Sequence, residues 1–119
     1  MHVNILLFEG LTQLDMTGPY EVLAAAPGFT VDFVAKTLAP VRSDRGLRFV
    51  PTQTLDSAPP CDLLVAPGGP GTDDAIVDPD WVAFTRRQGL AAGHVFGICT
   101  GSLLSLIHIS EPTRPERIS

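Results

Sequence analysis

The chain has 119 residues, of which 45% are hydrophobic and 18% charged, enough for one ordinary domain with a core and no basis for wholesale disorder. Thirteen acidic residues against eight Lys and Arg give a formal charge of −5 with no basic cluster, which argues against nucleic-acid binding by this segment through phosphate neutralisation. No apolar run is long enough to span a bilayer, so no membrane partner is expected, and the opening MHVNILLFEG reads as a strand, not a signal peptide.

Val3 to Phe8 (VNILLF) form a nearly continuous apolar run closed by Glu9-Gly10, the pattern of a strand buried on both faces in a parallel sheet. The segment TGPYEVLAAA predicts a helix with Thr17 as N-cap, Pro19 in the first turn and Glu21 facing the positive helix end. Pro27-Gly28 end it. Thr30 to Lys36 predict a second strand, and Thr37 to Thr54 a β-hairpin or irregular excursion. Asp62 to Ala66 (DLLVA) predict another buried strand running into Pro67-Gly68-Gly69-Pro70-Gly71. A helix capped by Asp78 follows to about Ala92, with Trp81, Val82 and Phe84 buried, and His94 to Ile98 form the last strand. Apolar strands alternating with helices define an α/β class with a mainly parallel sheet. No internal repeat interrupts it.

Gly97-Ile98-Cys99-Thr100-Gly101 has the form G-x-nucleophile-x-G. A side chain on a sharp strand-to-helix turn needs small neighbours two residues away, because strand and helix approach closely there. Such a turn lifts the sulfur clear of the sheet and aims it at the positive end of the next helix, which favours the thiolate. The bland reading makes Cys99 a small buried hydrophobe; the two bracketing glycines favour the nucleophile. Cys61 follows Pro59-Pro60 at a strand entry, and nothing near it suggests activation. Two cysteines make no disulfide framework, so a reducing, cytoplasmic setting is expected.

The PGGPG segment sits at the carboxyl end of its strand, the edge at which open α/β sheets bind ligands. Backbone N–H groups of Gly69 and Thr100 could form an oxyanion hole there, although a plain tight turn explains the glycines equally, and the spacing is not that of a phosphate-binding loop. Asp15, in QLDMTGP, either caps the first helix or projects into the same crevice as Cys99, and the sequence leaves the two even. His2 and His94 are poor partners for Cys99, one at the terminus and the other at the amino end of a strand.

Three motifs in order, FEGLTQLDMTGPYEVL, LLVAPGGPGT and FGICTGSLL, together resemble the ThiJ/PfpI superfamily, in the branch of isocyanide hydratase and related amidase-like regulators. The resemblance covers residues 3 to about 104. It implies a flavodoxin-like three-layer sandwich, a homodimer and a small-molecule substrate, with no cofactor or metal. By position it makes Cys99 the nucleophile, Asp15 its acidic partner, Thr100 the residue after the nucleophile, and Gly69 with Thr100 the oxyanion-hole amides. Protease-like members carry His directly after the cysteine; Thr100 stands there instead, which speaks against a peptidase.

Hydration of an isocyanide needs one thiolate to attack the terminal carbon, one carboxyl to move a proton, and an activated water to release the formamide. The resemblance leaves two alternatives open. One is the N-terminal sensor domain of an AraC-type transcriptional regulator; the other is a glyoxalase or protein-repair activity, against which Asp15 and the T-G-S after Cys99 count.

After Leu104 the periodicity is lost. LSLIHISEPTR, Leu104 to Arg114, resembles the translation of a transposase mosaic-end adapter used in sequencing libraries. The expected organisation is therefore a partial domain over residues 1–104, the N-terminal half to two-thirds of the whole, and a non-native read-through tail over 105–119. His108 then carries no function, the literal polypeptide is expected to aggregate or stay partly unfolded and to be inactive, and the functional readings apply to the intact protein.

Overall fold

The structure, a computed structural model, describes residues 1–75, 77–92 and 94–97. The predicted elbow, Cys99 and Thr100 included, and the predicted tail lie outside the described residues.

Five parallel strands form the sheet in the order β5-β2-β1-β6-β7. They are β1 (His2–Leu6), β2 (Thr30–Ala35), β5 (Gln53–Thr54), β6 (Leu63–Ala66) and β7 (His94–Gly97). In the centre Val3, Ile5, Leu6, Val34, Leu64 and Val65 are fully buried, as apolar runs covered on both faces require. Each such side chain contributes roughly 1.5–3 kcal/mol relative to an exposed one.

Helices α1 (Gln13–Ala25) and α3 (Pro79–Ala91) cover opposite faces. Tyr20 of α1 packs on Phe33, ring centroids 5.0 Å apart, and Phe33 pairs with Ile5. Gln88 of α3 instead reaches Asn4, whose side chain alternates to the other face. A three-layer α/β sandwich results.

The α3 helix follows its sequence signals. The Asp78 side chain accepts from the Asp80 N–H at 3.0 Å, and Pro79 occupies the first turn. Trp81, Phe84, Thr85 and Gln88, spaced i, i+3, i+4 and i+7, form its buried face. Val82, expected to be buried, falls beside that stripe and is only half-buried.

Helix α1 corrects the sequence reading. It starts four residues before Thr17, with Thr12 in the N-cap position and no side-chain cap. Thr17 lies inside the helix and its hydroxyl donates to the Gln13 carbonyl at 3.1 Å. Pro19 is an interior residue that cannot donate to the carbonyl of Asp15. Glu21 is an exposed mid-helix side chain, and Asp15, expected before the helix, belongs to its first turn.

The 37–54 excursion contains the hairpin, β3 (Val41–Arg42) antiparallel to β4 (Arg48–Phe49), and then returns as β5 to the sheet edge beside β2. The hairpin supports the loop after β1: the Gly10 N–H donates to the Arg42 carbonyl at 2.9 Å and the Asp44 N–H to the Leu11 carbonyl at 2.8 Å. One short helix, α2 (Thr72–Ala75), follows the PGGPG loop, in a stretch to which the sequence reading assigned no element. Among the described residues no helix is long and apolar enough to cross a membrane.

Candidate active site

Parallel strands deliver two loops side by side at the carboxyl edge, residues 7–12 after β1 and residues 67–71 after β6. They interlock through backbone bonds: the Thr12 N–H donates to the Gly68 carbonyl at 2.8 Å and the Gly71 N–H to the Gly10 carbonyl at 3.0 Å. This approach is possible only without side chains. A Cβ on Gly71 would overlap the Glu9 carbonyl oxygen, and one on Gly69, whose φ is +121°, would lie 2.5 Å from the Thr12 nitrogen.

Asp15 enters this junction from the first turn of α1. Its Oδ2 accepts the Gly68 N–H at 3.2 Å, so the carboxylate reaches the neighbouring loop. The bond seen is made to the loop after β6 and not to the amides of its own helix. Among the described residues neither Oδ1 of Asp15 nor the N–H of Gly69 has a hydrogen-bond partner. Gly68 was missed as a partner of Asp15; the doubled glycine of PGG was its only signal in the sequence.

Strand β7 ends at Gly97 beside Ala66, the residue before the 67–71 loop, and Cys99 follows two positions later in the sequence. Its placement, and that of Thr100, lies outside the described residues. Asp15, Gly68 and Gly69 are thus brought together, while their relation to the elbow is given by chain order alone.

The remaining candidates sit elsewhere. His2 opens β1 at the amino edge, its Nδ1 2.7 Å from Thr30 Oγ1 and its Nε2 2.9 Å from Asn4 Oδ1 and 3.1 Å from Asp32 Oδ2. Cys61 is buried at the same edge, and its thiol donates to Gln88 Oε1 at 3.2 Å. Burial pushes that thiol up from its ordinary value, which disfavours the reactive thiolate. Asn4, fully buried in the central strand, donates to the Pro59 carbonyl at 2.8 Å and to Gln88 Oε1 at 3.1 Å, which makes this edge a satisfied structural network. A cavity of about 400 Å³ on the α3 face, between Phe8, Val41 and Trp81 with Lys36 and Asp78 at its rim, includes neither Asp15 nor Gly69.

A parallel α/β sandwich with a helix-borne carboxylate bonded to the glycine-rich loop after β6 at its carboxyl edge defines a class, and comparison with known proteins identifies it. The DJ-1/PfpI family model matches residues 1–110, and the chain belongs to this family. Isonitrile hydratase of Pseudomonas putida is 41% identical over 104 residues, covering 87% of this chain and 46% of that protein. A Streptomyces lividans protein from the cpoL 5′ region is 35% identical over 107 residues, covering 86% of this chain and 75% of that protein. Among solved structures, a ThiJ/PfpI family protein from Pseudomonas syringae superposes with a TM-score of 0.85 at 35% identity, over 91% of this chain and 46% of that one. Drosophila melanogaster DJ-1beta shares the fold at a TM-score of 0.75 and 21% identity, over 89% of this chain and 59% of that one. The chain therefore spans about half the length of isonitrile hydratase and of the Pseudomonas syringae protein.

Proposed function

We propose that the intact protein hydrates isocyanides to N-substituted formamides, with Cys99 as nucleophile and Asp15 as the group that moves protons. The observation that carries this reading is the Asp15 carboxylate, held by the Gly68 amide at the edge where β7 ends two residues before Cys99. The 41% identity to isonitrile hydratase supports the choice of substrate class.

The chemistry balances with these two side chains and one water. The Cys99 thiolate adds to the terminal carbon of R–N≡C, and that carbon takes a proton delivered through the Asp15 carboxyl to give a thioimidate, R–N=CH–S–Cys99. Water adds to the same carbon; one of its hydrogens ends on nitrogen and the other returns to Asp15. Collapse of the tetrahedral adduct breaks the C–S bond, expels the thiolate and frees R–NH–CHO. In this reading the amides of Gly69 and Thr100 stabilise charge that develops at the reacting centre, with about 10²–10³ in rate resting on one such donor in hydrolases.

We assign the intact protein a small-molecule substrate, a cytoplasmic setting and a homodimeric state. Turnover of an aryl isocyanide to its formamide by the intact protein tests the function. Loss of that turnover in Cys99→Ala is expected, and full activity in that variant would remove the assignment.

A further inference from the structure

We infer that the backbone amide of Gly68 selects which oxygen of Asp15 carries the transferable proton, and that Gly71 is the positioning residue that keeps this amide in place. The inference deepens the reading above and rests on it for the reaction, but its geometric part can be tested without turnover.

A neutral carboxyl has one protonated oxygen and one that only accepts. An N–H donor bonds to the acceptor. Since the Gly68 N–H lies 3.2 Å from Oδ2, a proton taken up by the Asp15 carboxyl goes to Oδ1, the oxygen that has no partner among the described residues. The backbone of Asp15 is already fixed by the first turn of α1, so this single bond sets the remaining rotation of the carboxyl group. Oδ1 is thereby presented as the donor, and Oδ2 is withdrawn from the chemistry.

The position of the Gly68 amide depends on the 67–71 loop, which has left the sheet after Ala66. Two bonds to the loop after β1 hold it, one at each end: Thr12 N–H to the Gly68 carbonyl at 2.8 Å and Gly71 N–H to the Gly10 carbonyl at 3.0 Å. The second bond requires the backbones of residues 9–10 and 71 to touch. A methyl group on Gly71 meets the Glu9 carbonyl oxygen and, at 2.9 Å, the Gly10 Cα, both backbone atoms that cannot swing aside as a side chain would. Alanine at 71 therefore pushes the two loops apart and draws the Gly68 amide away from Asp15. Displacements of about 1 Å in a positioned group cost on the order of 10²-fold in rate.

The test uses the intact, ¹⁵N-labelled protein, with Gly71→Ala, Asp15→Ala and, as control, Gly18→Ala, whose added methyl meets nothing within 4 Å. The Gly68 amide proton resonance is expected to sit downfield in the parent protein and to move upfield in both Gly71→Ala and Asp15→Ala, which removes the acceptor, but not in Gly18→Ala. With an aryl isocyanide, Gly71→Ala is expected to lose on the order of 10²-fold in kcat with KM held within a few-fold, the signature of a misaligned donor and not of a weakened fold. A Gly68 resonance indifferent to Asp15→Ala, or wild-type kcat in Gly71→Ala, overturns the inference. Should Gly71→Ala fail to fold, the comparison of the parent with Asp15→Ala decides alone. An intact protein without hydratase activity defeats the functional reading, while the Gly68 resonance still decides the placement of the amide.

Discussion

Asp15 and Gly68 stand 53 positions apart in the chain, yet the amide of the second donates to the carboxylate of the first at 3.2 Å. The bond exists because β1 and β6 are parallel neighbours, so the segments that follow them leave the sheet at the same edge. It joins a helix of one crossover to a loop of the next, and it is the polar contact around which the proposed chemistry is built.

Replacement of Asp15 by Asn in the intact protein is expected to lower isocyanide turnover by about 10²–10⁴-fold, the range assigned to a positioned proton-transfer group. The Asn carbonyl can still accept from Gly68, so thermal stability is expected to stay close to the parent. Formamide formation and a thermal melt on one preparation measure both. Unchanged turnover would show that the carboxyl does not move the proton.

Trp81 is buried and meets Phe8 edge to face at 6.1 Å and Phe84 at 6.2 Å. Trp81→Ala removes this anchor between α3 and the carboxyl end of β1, with an expected cost of about 3–5 kcal/mol in chemical denaturation. A loss below about 1 kcal/mol would mean that α3 does not pack through this residue.

Lys36 donates to Asp78 Oδ2 at 2.7 Å, and its ammonium also lies 3.6 Å from Asp80. The hydrogen bond from Lys36 holds the Asp78 carboxyl below its ordinary 3.8, and the same bond raises Lys36 above its ordinary 10.5. The depressed carboxyl stabilises the fold fully above its unfolded value, and this contribution is lost as pH falls through its folded value. The raised ammonium contributes fully below 10.5, and its share is lost as pH rises through the folded value. Denaturation of Lys36→Gln against the parent should show a small gap at neutral pH that closes in acid below about 3.8 and shrinks in high salt, because the pair is solvent-exposed. A gap that widens in acid would contradict the assignment.

The buried Cys61 thiol, pushed up by desolvation, is expected to resist iodoacetamide at neutral pH in the folded protein and to react once denaturant is added. Rapid labelling of Cys61 in the native state would place it at an open surface.

What the sequence conveyed follows from how local each signal is. The runs VNILL and LLVA could be read as buried parallel strands because their character is continuous, and α3 because Asp78-Pro79 is a cap written in adjacent residues. Helix α1 was placed too late because Pro19 reads as a first-turn proline, whereas the helix begins at Gln13 after a Thr12 that makes no side-chain cap. Gln53–Thr54, two polar residues, carry no period that could announce a sheet edge, and α2 is a single turn. Asp15 and Gly69 were legible as candidates from their motifs. The Gly68 donor and the contact of Gly71 with Glu9 were not, since both are distances between loops that only the strand order brings together.

Mass spectrometry of the intact protein, acid-quenched during turnover of an aryl isocyanide and digested, tests the covalent role of Cys99 most directly. An adduct of the isocyanide's mass on the peptide bearing Cys99, absent from the peptide bearing Cys61 and absent altogether in Cys99→Ala, is the predicted result. Undiminished formamide production by Cys99→Ala, or an adduct confined to Cys61, would contradict it.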